Sequence, residues 1–175
     1  MSVNRNIRRI RKDYNDIMKC APNWLKLECW NDRMDEWKVI IDGPEGTPYE
    51  GGKFTLKVTF PEDYPFKSPN VTMITKIYSP GIHPRTGEFC HPLLKPSLSG
   101  CKGDENWSPA KNALVIIEGL RNYLTFPFSK FLENPKGCCC QGYFGIMNWN
   151  LFEEIKANPD LFETRGREWT RLYAH

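Results

Sequence analysis

The sequence predicts an α+β fold, with an amphipathic helix first, a meander of short antiparallel strands next and helices at the end. Three observations carry this. Apolar residues recur at spacings of three and four between Asn4 and Cys20; four short apolar segments separated by turn residues lie between Trp24 and Thr75; and helical spacing returns after Trp107. With 175 residues, 40% hydrophobic and 13% aromatic, the chain has the size of a single domain, expected over 1–175, and can bury its own core.

In the first segment Ile7, Ile10, Tyr14, Ile17 and Met18 are expected on one helical face with charge between them, and Pro22 ends the helix. Strands are expected over Trp24–Cys29, Glu36–Ile41, Lys53–Phe60 and Asn70–Thr75. Their separators, Asn31-Asp32-Arg33, Gly43 to Pro48 and Pro61 to Pro69, carry turn chemistry. Strands spaced this closely pair antiparallel, because parallel pairing needs a crossover of about a dozen residues or more. A long irregular stretch holding Cys90 follows. The segment from Pro109 to Tyr123, apolar at Leu114, Val115, Ile117 and Leu120 and bordered by Leu124, reads as a buried helix with Ser108 as cap and Pro109 at its first position. Two more helices, Leu151–Ala157 and Pro159–Tyr173, are divided at Asn158-Pro159.

Net charge is only +3, but Arg5, Arg8, Arg9, Arg11 and Lys12 concentrate positive charge at the start, which suits an acidic partner surface. That cluster has no interleaved aromatic stacking platform, so no nucleic-acid role is expected. No apolar run approaches the roughly 18 residues of a membrane span, and the basic start lacks a signal peptide's apolar core. A cytoplasmic or nuclear protein is expected. Seven cysteines without regular spacing read as free thiols in a reducing compartment. Adjacent Cys138, Cys139 and Cys140 cannot readily direct their thiols to one metal, and no Cys-x-x-Cys pair accompanies them, so neither metal nor cofactor is expected.

Six blocks stand in a telling order: Thr47-Pro48-Tyr49-Glu50-Gly51-Gly52-Lys53-Phe54, Phe60 to Pro69, Thr75-Lys76-Ile77-Tyr78, Gly87-Glu88-Phe89-Cys90, Trp107-Ser108-Pro109-Ala110 and Arg167 to Ala174. Over almost the whole chain this order resembles the ubiquitin-conjugating enzymes. The resemblance implies their fold: N-terminal helix, four-stranded meander, active-site crossing and C-terminal helices. It also implies that Cys90 accepts the C-terminal acyl group of ubiquitin or a ubiquitin-like protein from an activating enzyme and gives it to a lysine, usually with a RING- or HECT-type ligase. Sulfur suits both steps, since a thiol is readily acylated near neutral pH and a thioester is open to amine attack.

Three departures from the family pattern bear on that chemistry. Ser79-Pro80-Gly81 stands where the family commonly has His-Pro-Asn, and glycine lacks the asparagine's amide, which is held to stabilise the oxyanion; losing one such donor costs on the order of a hundredfold. A rate restored in Gly81→Asn would show that the missing amide is the defect, and no rise would mean another solution in the loop or a different alignment; His83 and His91 are candidate substitutes, and the alternative is a catalytically weak binding module or adaptor built on the same fold. Lys95 to Asn106 reads as an insertion, either a loop that sets access or a solvated linker. Where an acidic stretch is usual, Phe126 to Leu132 offers Ser129 and Lys130, with Phe126, Phe128 and Phe131 as core or partner patch. A second extension is expected over 133–148. For partners, the resemblance implies that Arg8, Arg9 and Lys12 face the activating enzyme and ligases, and that Phe66, Ser108, Pro109 and Ala110 form the ligase patch.

Overall fold

The computed structural model describes residues 3–89, 94, 107–125 and 146–175. Helix α1 spans Val3–Cys20 and buries Ile10 and Ile17, each contributing roughly 1.5–3 kcal/mol. Tyr14, on the same face, meets Trp37 edge-on with ring centroids 5.5 Å apart. Met18, expected on this face, is 49% exposed, because one step beyond Ile17 rotates it about 100° around the helix. Asp13 is buried in the stripe instead.

Strands β1 (Leu25–Cys29), β2 (Glu36–Asp42), β3 (Lys53–Thr59) and β4 (Asn70–Met73) form the expected antiparallel meander in the order β1-β2-β3-β4. The pairs Trp37–Val58, Val39–Leu56 and Ile41–Phe54 set its inner face, which Leu25, Leu27, Val71 and Met73 extend. The other face carries polar pairs such as Lys57–Glu36 at 2.7 Å, so the strands alternate as a half-buried sheet should. β4 ends two residues earlier than expected because the Thr55 amide, next in register to pair with Ile74, donates instead to Thr75 Oγ1 at 2.8 Å, leaving only the Ile74 amide's bond to the Thr55 carbonyl, which the Thr75 amide shares.

Helix α2 spans Ala113–Leu124, four residues later than the sequence reading placed its start. Its cap is Asn112, whose side chain accepts from the Leu114 amide at 3.1 Å, not Ser108. The reason is long-range. The Pro109 and Lys111 carbonyls, which a helix begun at Pro109 would direct to residues 113 and 115, accept instead from the Arg9 guanidinium, each at 2.8 Å. Ala113, Ile116, Ile117, Leu120 and Leu124 are fully buried against the sheet's core.

Helices α3 (Trp149–Ala157) and α4 (Asp160–Tyr173) meet at the expected Asn158-Pro159 break. α4 returns to the start of β3: Thr170 Oγ1 donates to the Pro48 carbonyl at 3.0 Å and the Lys53 amide to Ala174 at 3.0 Å, joining two of the six sequence blocks. The extension at 95–106 and residues 133–145 of the other lie outside the described residues, as do Phe126 to Leu132, Cys101 and the three adjacent cysteines. Cys20 and Cys29 are free and exposed. No described helix is long and apolar enough to cross a membrane.

Candidate active site and partner surface

A hairpin over residues 79–89 leads to Cys90, which itself lies outside the described residues, as does His91. Its two arms are joined by an Ile82–Phe89 bridge, which links the residue after Gly81 to the residue before Cys90. The hairpin docks on the free edge of β4 through a Thr72–Glu88 bridge and a 2.8 Å bond from the Met73 amide to the Gly87 carbonyl. Gly87 adopts φ +70°, and a Cβ there would lie 1.9 Å from the Met73 carbonyl oxygen, so glycine is required on both counts.

His83 closes the hairpin turn. Its Nδ1 accepts from the Thr86 amide at 3.1 Å, while its backbone amide donates to Glu88 at 2.7 Å and its carbonyl accepts from Gly87 at 2.9 Å. One ring nitrogen is thus engaged in turn geometry, which leaves only Nε2 for any further role.

The Ser79-Pro80-Gly81 turn is held from three sides. The Tyr49 hydroxyl donates to the Tyr78 carbonyl at 3.1 Å, the Met147 and Asn148 amides donate to the Pro80 carbonyl at 2.8 and 2.9 Å, and Ser79 Oγ lies 2.6 Å from Tyr123 Oη. All of these tyrosines are buried. Burial raises the Tyr123 phenol well above its ordinary range, against the opposing pull of hydrogen bonds from Ser79 and the Gly81 amide. Gly81 is buried too, and a Cβ on it would stand 2.0 Å from Tyr123 Oη and 2.5 Å from Cζ. Tyr123 thus fills the space that an asparagine at position 81 would need.

The predicted partner residues fall into two groups. Phe66 is 79% exposed at the tip of the loop after β3, beside exposed Pro109 and Ala110 and half-buried Ser108. Trp107 Nε1 donates to the Pro65 carbonyl at 2.7 Å, and its ring lies 5.8 Å from that of Tyr64, so the tryptophan ties the Phe66 loop to the segment before α2. Arg8 and Lys12 are exposed on α1. Arg9 is not free to act with them. Its side chain is only 25% exposed, pairs with Asp13 at 2.9 Å and holds the two carbonyls of the 109–111 turn. Asp13 also accepts from the Tyr64 hydroxyl, and burial followed by this carboxylate drives that phenol far upward. Beneath the patch lies an Arg9–Asp13–Tyr64 cluster.

A cleft of about 740 Å³ opens on the far side of the hairpin, lined among others by Tyr78, His83, Glu154, Arg165 and Trp169. Sequence reading missed Tyr123, taken only as the end of a buried helix, and the inward role of Arg9. A signal for the first was present: a tyrosine on an otherwise apolar buried face needs a partner for its hydroxyl.

Comparison with known proteins agrees with this architecture. Residues 9–135 match the family described as ubiquitin-conjugating enzyme. A ubiquitin-conjugating enzyme E2 1 of Schizosaccharomyces pombe is 37% identical over 174 residues, covering 99% of this chain and 69% of that protein. A ubiquitin conjugating enzyme E2 B of Dictyostelium discoideum is 29% identical over 167 residues, covering 95% of this chain and 97% of the other. Among solved structures, the E2 domain of a Toxoplasma gondii ubiquitin conjugating enzyme superposes with a TM-score of 0.76 at 27% identity, over 96% of this chain and 98% of that one. With the meander, the docked hairpin and the matching blocks in register, the chain belongs to the ubiquitin-conjugating enzyme family.

Proposed function

We propose that Cys90 carries ubiquitin or a ubiquitin-like protein as a thioester and delivers it to a lysine. The observation that supports this most is the hairpin: in a chain of this family, it is anchored on the β4 edge and ends at the residue before Cys90. The Cys90 thiolate attacks the carbonyl of the activating enzyme's thioester, and that enzyme's thiol leaves. A lysine amine then attacks the Cys90 thioester, the Cys90 thiolate leaves, and the amine loses its proton as the isopeptide bond forms. The ligase, of RING or HECT type, docks on Phe66, Ser108, Pro109 and Ala110, with Arg8 and Lys12 contributing charge for the activating enzyme. Such a carrier works in the cytoplasm or nucleus.

A second reading, a weak or inactive adaptor, is favoured by one observation: position 81 offers no side-chain donor and has no room for one. The two separate in one experiment. The protein is incubated with activating enzymes, ATP and a panel of ubiquitin-like modifiers, and a thiol-sensitive adduct is sought on a non-reducing gel. The carrier reading expects an adduct lost in Cys90→Ala and kept in Cys101→Ala; absence of any adduct supports the adaptor.

A further inference from the structure

We propose that Tyr123 is a positioning residue for the transfer reaction: its hydroxyl, bonded to Ser79 and standing where a side chain on residue 81 would begin, braces the turn that precedes Cys90. This rests on the carrier reading of Cys90.

The geometry makes residues 79, 81 and 123 one unit. Helix α2 is rigidly seated, with Ile116, Ile117 and Leu120 fully buried, so Tyr123 comes to the turn from a fixed base. Its phenol reaches Ser79 Oγ at 2.6 Å across a separation of 44 residues in sequence. The same oxygen, with Cζ and Cε2, lies 2.0–2.8 Å from the place a Cβ on Gly81 would take. A buried aromatic ring cannot swing aside in a close-packed interior without displacing its neighbours. A small residue at 79, no side chain at 81 and a tyrosine at 123 are therefore mutually dependent. The phenol meets Tyr49 at Ser79, while Tyr49 also holds the Tyr78 carbonyl and the amides of Met147 and Asn148 hold the Pro80 carbonyl. Because Tyr123 is 3% exposed, it acts through the turn and not on the acceptor or modifier. The turn in turn fixes Ile82, and the Ile82–Phe89 bridge carries that placement to the residue before Cys90.

The test uses the full chain with whichever modifier forms the adduct, following single-turnover discharge to free lysine across lysine concentrations, with melting temperatures measured alongside. Tyr123→Phe and Ser79→Ala should each slow the maximal discharge rate on the order of tenfold, the kinetic equivalent of one buried hydrogen bond, leaving the half-saturating lysine concentration unchanged. The double variant should be slowed by clearly less than the product of the two single effects, since the Ser79–Tyr123 bond they share is removed only once. Gly81→Asn should melt lower than the parent and discharge more slowly, and adding Tyr123→Leu should recover part of both. Additive effects in Ser79→Ala/Tyr123→Phe, or a Gly81→Asn protein that melts and discharges like the parent, would overturn the proposal while leaving the carrier reading intact. A parent protein that forms no adduct overturns the carrier reading and this role with it.

Discussion

Replacing Gly87 by alanine probes whether the docking of the hairpin on β4 governs what happens at Cys90. Two costs can be worked from the structure. At φ +70° a Cβ costs about 1–2 kcal/mol wherever it is placed. It would also sit 1.9 Å from the Met73 carbonyl oxygen, and the atoms it meets are backbone held in register with Leu56, so the hairpin must withdraw by about 1 Å. Withdrawal breaks the 2.8 Å bond from the Met73 amide to the Gly87 carbonyl, worth about 1 kcal/mol. The total is roughly 2–3 kcal/mol, or a fall in Tm of about 4–12 °C for a chain of this length. Gly46 supplies the control. It has φ +71° with nothing within 4 Å of the place a Cβ would take, so Gly46→Ala meets the backbone cost alone, about 1–2 kcal/mol. Thermal unfolding by circular dichroism and the rate of thioester formation should be measured on both variants. Gly87→Ala should melt below Gly46→Ala and load at least about tenfold more slowly, whereas Gly46→Ala should load like the parent. If the hairpin peels away locally, the melting difference narrows but the Met73 amide exchanges faster and loading still falls. Equal melting and equal loading in the two proteins would refute the reasoning.

Two further outcomes follow from the buried polar groups. Arg9→Lys replaces a forked guanidinium that serves Asp13 and two carbonyls by a single ammonium, and should cost about 1–3 kcal/mol in urea unfolding while weakening ligase binding at the Phe66 patch; unchanged stability would mean that the cluster does not brace the 109–111 turn. Alkaline pH should destabilise the fold through Tyr49 and Tyr123, whose phenols burial raises above the ordinary value of 10.0. Because the folded pKa values exceed the unfolded ones, this stability is fully present below about pH 10 and is lost as pH rises, since only the unfolded chain ionises there. The slope is about 1.4 kcal/mol per pH unit for each tyrosine, so the urea midpoint should drop steeply between about pH 10 and 11.5, less so in Tyr123→Phe. A flat midpoint across that window would show that these phenols ionise alike in both states.

Much of the architecture was legible in the chain itself. Alternation in Trp37-Lys38-Val39-Ile40-Ile41 and in Phe54 to Val58 exposes a half-buried sheet, and the short separators leave an antiparallel meander as the only pairing. Cys90 stood out by its place in a run of recognisable blocks. These features depend on near neighbours, through the periodicities of strand and helix. What the sequence left undecided depends on contacts between distant positions. Arg9 reaches a carbonyl 100 residues away and so delays the start of α2, and Tyr123 meets Ser79 and Gly81 only once helix and turn are packed together. Local pattern determines which segments become strands and helices, whereas packing selects which side chain from elsewhere in the chain fills each remaining space. At the turn before Cys90 that side chain is the phenol of Tyr123.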